Sequence, residues 1–315
     1  MGKIAFISEL PFNGKVDRNH PHMRTEFAQF CALQADHYCF YDIDDIKSGY
    51  DHIILLVSKT DSLRDYLYKK GDIVTGLRAH GNKIWFMQES SAQIYQTKPL
   101  HLQIWHYNLL QEVDVVLTEN TTDFNYFRGI VGDKKEINTI PTLIIQDNIV
   151  YLRDNIKEEK TMVGGNFNSW YGGFDSYLVA SEFETPISVP KMRKVDNEHQ
   201  LVEVLPHVTF NEWMGILSKY KYAVHMMSNV TAGTFSLNCS FFGIPCIGYV
   251  ESDTQRLTQP KLSVDRFDLG KAVKLAKLLK NDNDFYNECS KEALDNYNKH
   301  FSEEVFLTHM NKVLK

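Results

Sequence analysis

The stretch Tyr222–Tyr249, YAVHMMSNVTAGTFSLNCSFFGIPCIGY, decides the fold class. Its opening apolar run, Tyr222–Met227, reads as a buried strand. A loop of small residues follows, Thr231-Ala232-Gly233-Thr234, then an amphipathic helix near Thr234–Phe242. Gly243-Ile244-Pro245 stops that helix, because Gly accepts the left-handed conformation and Pro cannot continue the ladder. Cys246–Tyr249 reads as the next strand. Small residues at a helix start leave backbone N–H groups open, and with the helix dipole they make a site for an anionic phosphate. A nucleotide or nucleotide-sugar enzyme is expected.

The same alternation extends outward. In the N-terminal half, Lys3–Ser8, His37–Tyr41, His52–Ser58, Lys83–Gln88, Val113–Thr118 and Asn138–Pro141 read as strands. Helices are predicted over Met23–Gln34, Asp61–Arg78 and Trp105–Gln111. After a charged stretch at Ile145–Lys160 the pattern restarts, with strands at Thr161–Gly164 and Val202–Val204 and helices at Gly172–Ser181 and Asn211–Leu217. Helical stretches at Gly270–Lys280 and Asp284–Leu314 close the chain. Strands alternating with helices predict an α/β architecture of two Rossmann-like, doubly wound parallel sheets. The expected domains are 1–145 and 146–315, with the last helix free to cross back to the N-terminal one. Ligands in such folds bind at the carboxyl ends of strands, so a cleft between facing domains is the expected active site. The loops after Ser8, Gln88, Val163, Val204, Met227 and Tyr249 should line it.

The composition sets bounds on this reading. A length of 315 residues suits two domains of about 150 each. No apolar run is long enough for a membrane span, and MGKIAFISELPF has no signal-peptide layout. Cys31, Cys39, Cys239, Cys246 and Cys289 show no CxxC spacing, which predicts a reducing, cytoplasmic setting. The sequons at Asn120 and Asn229 are then accidental. A net charge of −6 weighs against nucleic acid as the main partner. The early segment still gathers Lys15, Arg18, His20, His22 and Arg24, so a local basic surface stays open.

GTFSLNCSFFGIPCIGY resembles the C-terminal nucleotide-sugar motif of GT-B glycosyltransferases. Val163-Gly164-Gly165-Asn166-Phe167 is similar to the first strand and loop of their donor domain, and Leu205-Pro206-His207 with Glu212-Trp213 to its base-side segment. The resemblance implies a metal-independent glycosyltransferase with a nucleotide sugar as co-substrate and no further cofactor. It implies donor binding in the C-terminal domain and acceptor binding in the N-terminal one. Many retaining members carry two glutamates eight positions apart around this helix; here Val230 and Asn238 stand there.

Residue by residue, the expected donor site comprises Gly14, Lys15, Gly165, Asn166, Tyr171, Gly172, His207, Met227, Ala232, Gly233, Thr234 and Asn238. Thr231–Thr234 forms the diphosphate cradle, with Gly233→Val expected to abolish nucleotide binding and keep the fold. Asn238 shares a helix face with Thr234 and is expected to bond a ribose or sugar hydroxyl. The glycines of GGNFNSWYGG would let the backbone approach the donor, with Ser176 bonding its hydroxyls. His225 divides evenly between a satisfied core histidine and a site group. Glu89, just past KIWFMQ, is the best-placed base for an inverting transfer, with Asp17 as rival. Arg24 and Lys15 would stabilise the departing phosphate. The DxD at Asp42-Ile43-Asp44 follows the wrong strand and reads as a solvated turn, and no His/Cys cluster has metal spacing. An epimerase of the same fold and a non-catalytic nucleotide-sugar-binding protein remain as alternatives. The acceptor is left open among a glycan, a small molecule and a modified DNA base.

Overall fold

A computed structural model describes residues 2–21, 23, 25–165, 167, 171–191, 200–229 and 232–315. The chain divides into two compact units. The first comprises Met1–Arg18, Glu26–Pro141 and Phe306–Lys315; the second comprises Asn19–Thr25 and Thr142–Val305. The division after Pro141 falls four residues before the expected joint at 145.

The first unit runs β1 (Ile4–Ser8), β2 (Gly14–Lys15), α1 (Thr25–Ala32), β3 (Asp36–Cys39) and β4 (Tyr50–Val57). It continues with α2 (Asp61–Lys70), α3 (Ile73–Arg78), β5 (Gly81–Gln88), α4 (Ala92–Gln96), α5 (Leu100–Glu112), β6 (Val115–Thr118), α6 (Thr121–Val131) and β7 (Glu136–Thr139). The strands form one seven-stranded sheet in the order β2-β3-β1-β4-β5-β6-β7. All pairs are parallel except β2 with β3.

Central strands covered on both faces read as continuous apolar runs, and β1, IAFIS, is buried at every residue. Alternate side chains go to opposite faces. Ala5, Ile7, Ile53, Leu55 and Phe86 join a core with Leu77, Leu109 and Phe127. On the other face Phe6 stacks on Phe30 of α1, with ring centroids 3.5 Å apart.

The helix predicted over Asp61–Arg78 is two helices. Gly71 takes φ +79° at the end of α2, and the Asp72 side chain then caps α3 by accepting from Thr75 N at 2.9 Å. Helix α6 has no counterpart among the predicted elements. Its N-cap is Asn120, whose side chain accepts from Asp123 N at 2.7 Å. Asn120 and Asn229 are both buried.

The second unit runs β8 (Glu158–Val163), α7 (Gly173–Ala180), β9 (Ile187–Pro190), β10 (Glu203–Leu205), α8 (Phe210–Leu217), β11 (Tyr220–His225) and α9 (Thr234–Phe241). Then come β12 (Cys246–Tyr249), α10 (Asp253–Thr258), β13 (Ser263–Val264), α11 (Leu269–Asn281) and α12 (Asn283–Phe301). A last helix, α13 (Glu303–Val313), follows a break at Ser302 and lies mostly in the first unit. The second sheet is wholly parallel, in the order β10-β9-β8-β11-β12-β13. Val163, Val224 and Ile247 pack on one face with Val179 and Ala276, while Met162, Ala223 and Cys246 pack on the other with Leu237 and Phe241. All five cysteines are buried and free.

Candidate functional site

In the second sheet the chain leaves β8 toward β9 and β10, then returns to β11 on the other side of β8. This reversal is the topological switch point, where ligands of open α/β sheets bind. The carboxyl ends that meet there are Gly164-Gly165 after β8 and Met226–Asn229 after β11, with Ala232 and Gly233 leading into α9. Gly233 caps α9 in the left-handed conformation, at φ +69°. Its carbonyl accepts from Leu237 N at 3.2 Å and from Thr254 Oγ1 at 2.9 Å. The N–H groups of Thr234, Phe235 and Ser236 precede that first intrahelical bond and have no acceptor within the helix. The Ala232 carbonyl is tied to Thr142 Oγ1 at 3.0 Å. Ala232 and Gly233 are therefore fixed at the N-terminus of α9, and Thr231 lies outside the described residues.

A Cβ on Gly233 would lie 1.9 Å from Thr254 Oγ1 and 2.6 Å from Ser252 Oγ. The expectation that Gly233→Val keeps the fold is corrected by these distances. Beside Gly233, a small pocket is lined by His225, Met227, Asn229, Ser236, Tyr249, Ser252 and Gln255. Tyr249 Oη lies against the Phe267 backbone, and Gln255 Oε1 is buried with no hydrogen-bond partner among the described residues. The sequence points to His225, Met227 and the loop after Tyr249 but not to Ser236, Tyr249, Ser252 or Gln255; their only signal is their position at or after the end of a parallel strand. Burial pushes His225 down to about 4, so its ring is neutral at physiological pH. The unfolded chain binds the proton more readily, so this histidine's contribution to stability is lost as pH falls from about 6.5 toward its folded value.

Three glycines expected to face the donor are occupied by protein neighbours. A Cβ on Gly164 would come within 2.7 Å of both Phe235 and His225. On Gly165, at φ +85°, it would meet Tyr171 Cβ at 2.8 Å, and on Gly172, at φ +62°, the Met226 carbonyl at 2.3 Å. They let α7 and the loop before it close onto β11 and α9. Ser176, expected to bond sugar hydroxyls, is fully buried, donating to Gly172 O at 3.0 Å and accepting from Met226 N at 2.8 Å. Asn166 lies outside the described residues. His207 is exposed, just past the edge strand β10.

Asn238 also has internal partners. With the amide turned to suit its neighbours, its oxygen accepts from Trp213 Nε1 at 3.1 Å and its NH₂ donates to Thr234 O at 3.2 Å. The amide ties α9 to α8, which corrects its assignment to a ribose. Asn238→Ala is expected to destabilise the unit by about 1–3 kcal/mol by stranding the indole N–H, with nucleotide affinity kept. Chemical denaturation and a nucleotide titration check this. Wild-type stability with weakened nucleotide binding would return Asn238 to the ligand.

In the first unit, adjacent parallel strands β1, β4, β5 and β6 end in Glu9, Ser58-Lys59, Glu89 and Glu119. Glu89 is 5% exposed. Its carboxylate pairs with Lys59 Nζ at 2.7 Å and accepts from Lys59 N and Ser58 Oγ, both at 3.4 Å. Ser58 Oγ also donates to Glu9 at 2.7 Å. Glu89 is thus a buried, charge-compensated carboxylate at a strand's carboxyl end.

The early segment differs from its reading as a loop. Gly14 and Lys15 pair with β3 at the outer edge of the sheet, and Lys15 Nζ binds Asp36 at 3.0 Å. Lys15 is held there as a sheet-edge ion pair. Asp17 is exposed, and Arg24 lies outside the described residues. Asp42 accepts from Asn13 at 3.0 Å and Asp44 pairs with Lys70, so the DxD is spent on local structure. Among the described residues no group of His, Cys, Asp and Glu could hold a metal, and no helix is long and apolar enough to cross a membrane.

No family model and no curated protein matches the chain. Solved structures match over its whole length. Anabaena Alr3699/HepE in complex with UDP and glucose covers 100% of this chain and 99% of its own, at 10% identity and a TM-score of 0.71. An alpha-glucosyltransferase in complex with UDP and a 13-mer DNA containing a HMU base covers 99% of each chain, at 10% identity and a TM-score of 0.65. Sucrose-phosphate synthase from Thermosynechococcus elongatus covers 99% and 98%, at 13% identity and a TM-score of 0.67. The chain has the GT-B fold.

Proposed function

We propose that this chain transfers a sugar, hexose or pentose, from a nucleoside-diphosphate sugar to an acceptor hydroxyl, with no metal or other cofactor. One observation carries the reading: the first-turn N–H groups of α9, opened by left-handed Gly233, at the switch point of a wholly parallel sheet. That geometry suits a diphosphate. Two solved proteins of the same fold are in complex with UDP, which supports a UDP-sugar as donor. Thr234–Ser236 would hold the diphosphate, and neutral His225 with Tyr249 and Gln255 would face the uncharged part of the donor. Glu89 would take the acceptor's proton if the transfer inverts configuration. Five buried free cysteines support a reducing, cytoplasmic setting.

The acceptor class is a glycan, a small molecule or a modified DNA base. The DNA-bound alpha-glucosyltransferase supports the last, while the charge of −6 weighs against it. Thermal shift with UDP and UDP-sugars tests the donor. A ligand at 100 times its Kd is expected to stabilise by roughly 2.7 kcal/mol, and no shift with any nucleoside diphosphate sinks the reading. Release of UDP only on addition of an acceptor, with DNA carrying a hydroxymethylated base among those tried, separates transfer from epimerisation and from binding alone.

A further inference from the structure

The carbonyl of Gly233 and the N–H of Thr234 belong to one planar, trans peptide unit, so the direction of the oxygen sets the direction of the N–H. That N–H is the first of the α9 donors. Glycine leaves the rotation of this unit freer than any other residue would, and the structure holds it from the oxygen side. Thr254 Oγ1, on α10, donates to Gly233 O at 2.9 Å, closer than the helix's own Leu237 N at 3.2 Å. Thr254 is 2% exposed, so solvent does not compete for the bond. The preceding peptide unit is held in the same way, since its Ala232 oxygen accepts from Thr142 Oγ1.

Thr254 is itself held. Ser236 Oγ lies 2.8 Å and Ser252 Oγ 3.0 Å from its hydroxyl. The Gly233 oxygen can only accept, so Thr254 spends its one proton there and keeps its lone pairs for the serines. One turn on, a second set of bonds joins the same two helices without touching Gly233. Thr258 Oγ1 donates to Thr254 O at 2.6 Å and accepts from Ser240 Oγ at 2.7 Å. Both threonines are buried and both bridge α9 and α10. They differ in that Thr254 reaches the left-handed cap.

We propose that Thr254 is a positioning residue for the nucleotide phosphate, aiming the Thr234 N–H by holding the oxygen at the other end of its peptide. A hydrogen bond accepted by that oxygen also polarises the unit and strengthens its N–H as a donor. The proposal rests on the reading of the α9 N-terminus as the diphosphate site.

Thr254→Val keeps the shape of the side chain and removes the hydroxyl. Titration calorimetry of the full chain with UDP should then give a Kd raised about tenfold, the equivalent of one lost hydrogen bond. Thr254→Ser, which restores the hydroxyl, should bind UDP as the wild type does. Thr258→Val should lower the Tm about as much as Thr254→Val and leave the UDP affinity unchanged. Wild-type affinity in Thr254→Val overturns the proposal, and so does an equal weakening in Thr258→Val, which would make the effect one of stability. Should Thr254→Val fail to fold, Thr254→Ala takes its place under the same comparison. A wild-type chain that binds neither UDP nor any other nucleoside diphosphate removes the phosphate site itself, and the role of Thr254 with it.

Discussion

Glu89→Gln is expected to lower turnover by on the order of 10²–10⁴-fold, the usual contribution of a general base, while donor affinity is kept. Glutamine matches the carboxylate in shape and can still accept from Lys59 N and Ser58 Oγ, which hold Glu89 in place. It has no charge with which to take an acceptor proton. Lys59, a third exposed, can turn its ammonium to water, so the fold should survive. Steady-state turnover and a UDP titration on the same protein separate the two effects. Near-normal turnover would remove Glu89 from catalysis and leave Asp17, or a retaining reaction that needs no such base.

Gly233→Val should undo the second unit, not merely its ligand binding. A β-branched residue at φ +69° costs about 1–3 kcal/mol in backbone strain. The new Cβ at 1.9 Å from Thr254 Oγ1 adds overpacking of similar size, about 1–3 kcal/mol. Against a total stability of roughly 5–15 kcal/mol, the sum is a large share. Urea denaturation reads it as a lowered midpoint. A wild-type midpoint would show that Gly233 does not hold the left-handed conformation.

Features that lie close together along the chain are legible in the amino-acid sequence alone. Cys246–Tyr249 has the strand limits its apolar run predicts, because Pro245 and the left-handed Gly243 just before it fix where α9 stops. The Gly233-capped start of α9 is legible for the same reason: strand, small residues and helix are contiguous. The short strand Ile187–Pro190 escapes such a reading because four residues, one of them proline, carry little periodicity. Helix α6, TTDFNYFRGIV, escapes it because polar residues interrupt its apolar face.

In the site, several errors come from neighbours far away in the chain. Gly172 reads as ligand-facing because nothing local shows the Met226 carbonyl against it. Asn238 reads as free because Trp213 sits a strand and a helix earlier. Lys15 reads as a loop cation until β3 brings Asp36 beside it.

The first unit contains Phe306–Lys315 as well as most of the first 141 residues. During synthesis, then, the N-terminal sheet emerges early but lacks one of its own helical segments until Phe306–Lys315 has left the ribosome. The second unit, contiguous from Thr142 to Val305 apart from one short segment, is made in full before that happens. Domains usually fold in the order they are made, but here the half translated first is the half completed last. Its closing contacts span most of the chain, the kind of long-range pairing that slows folding.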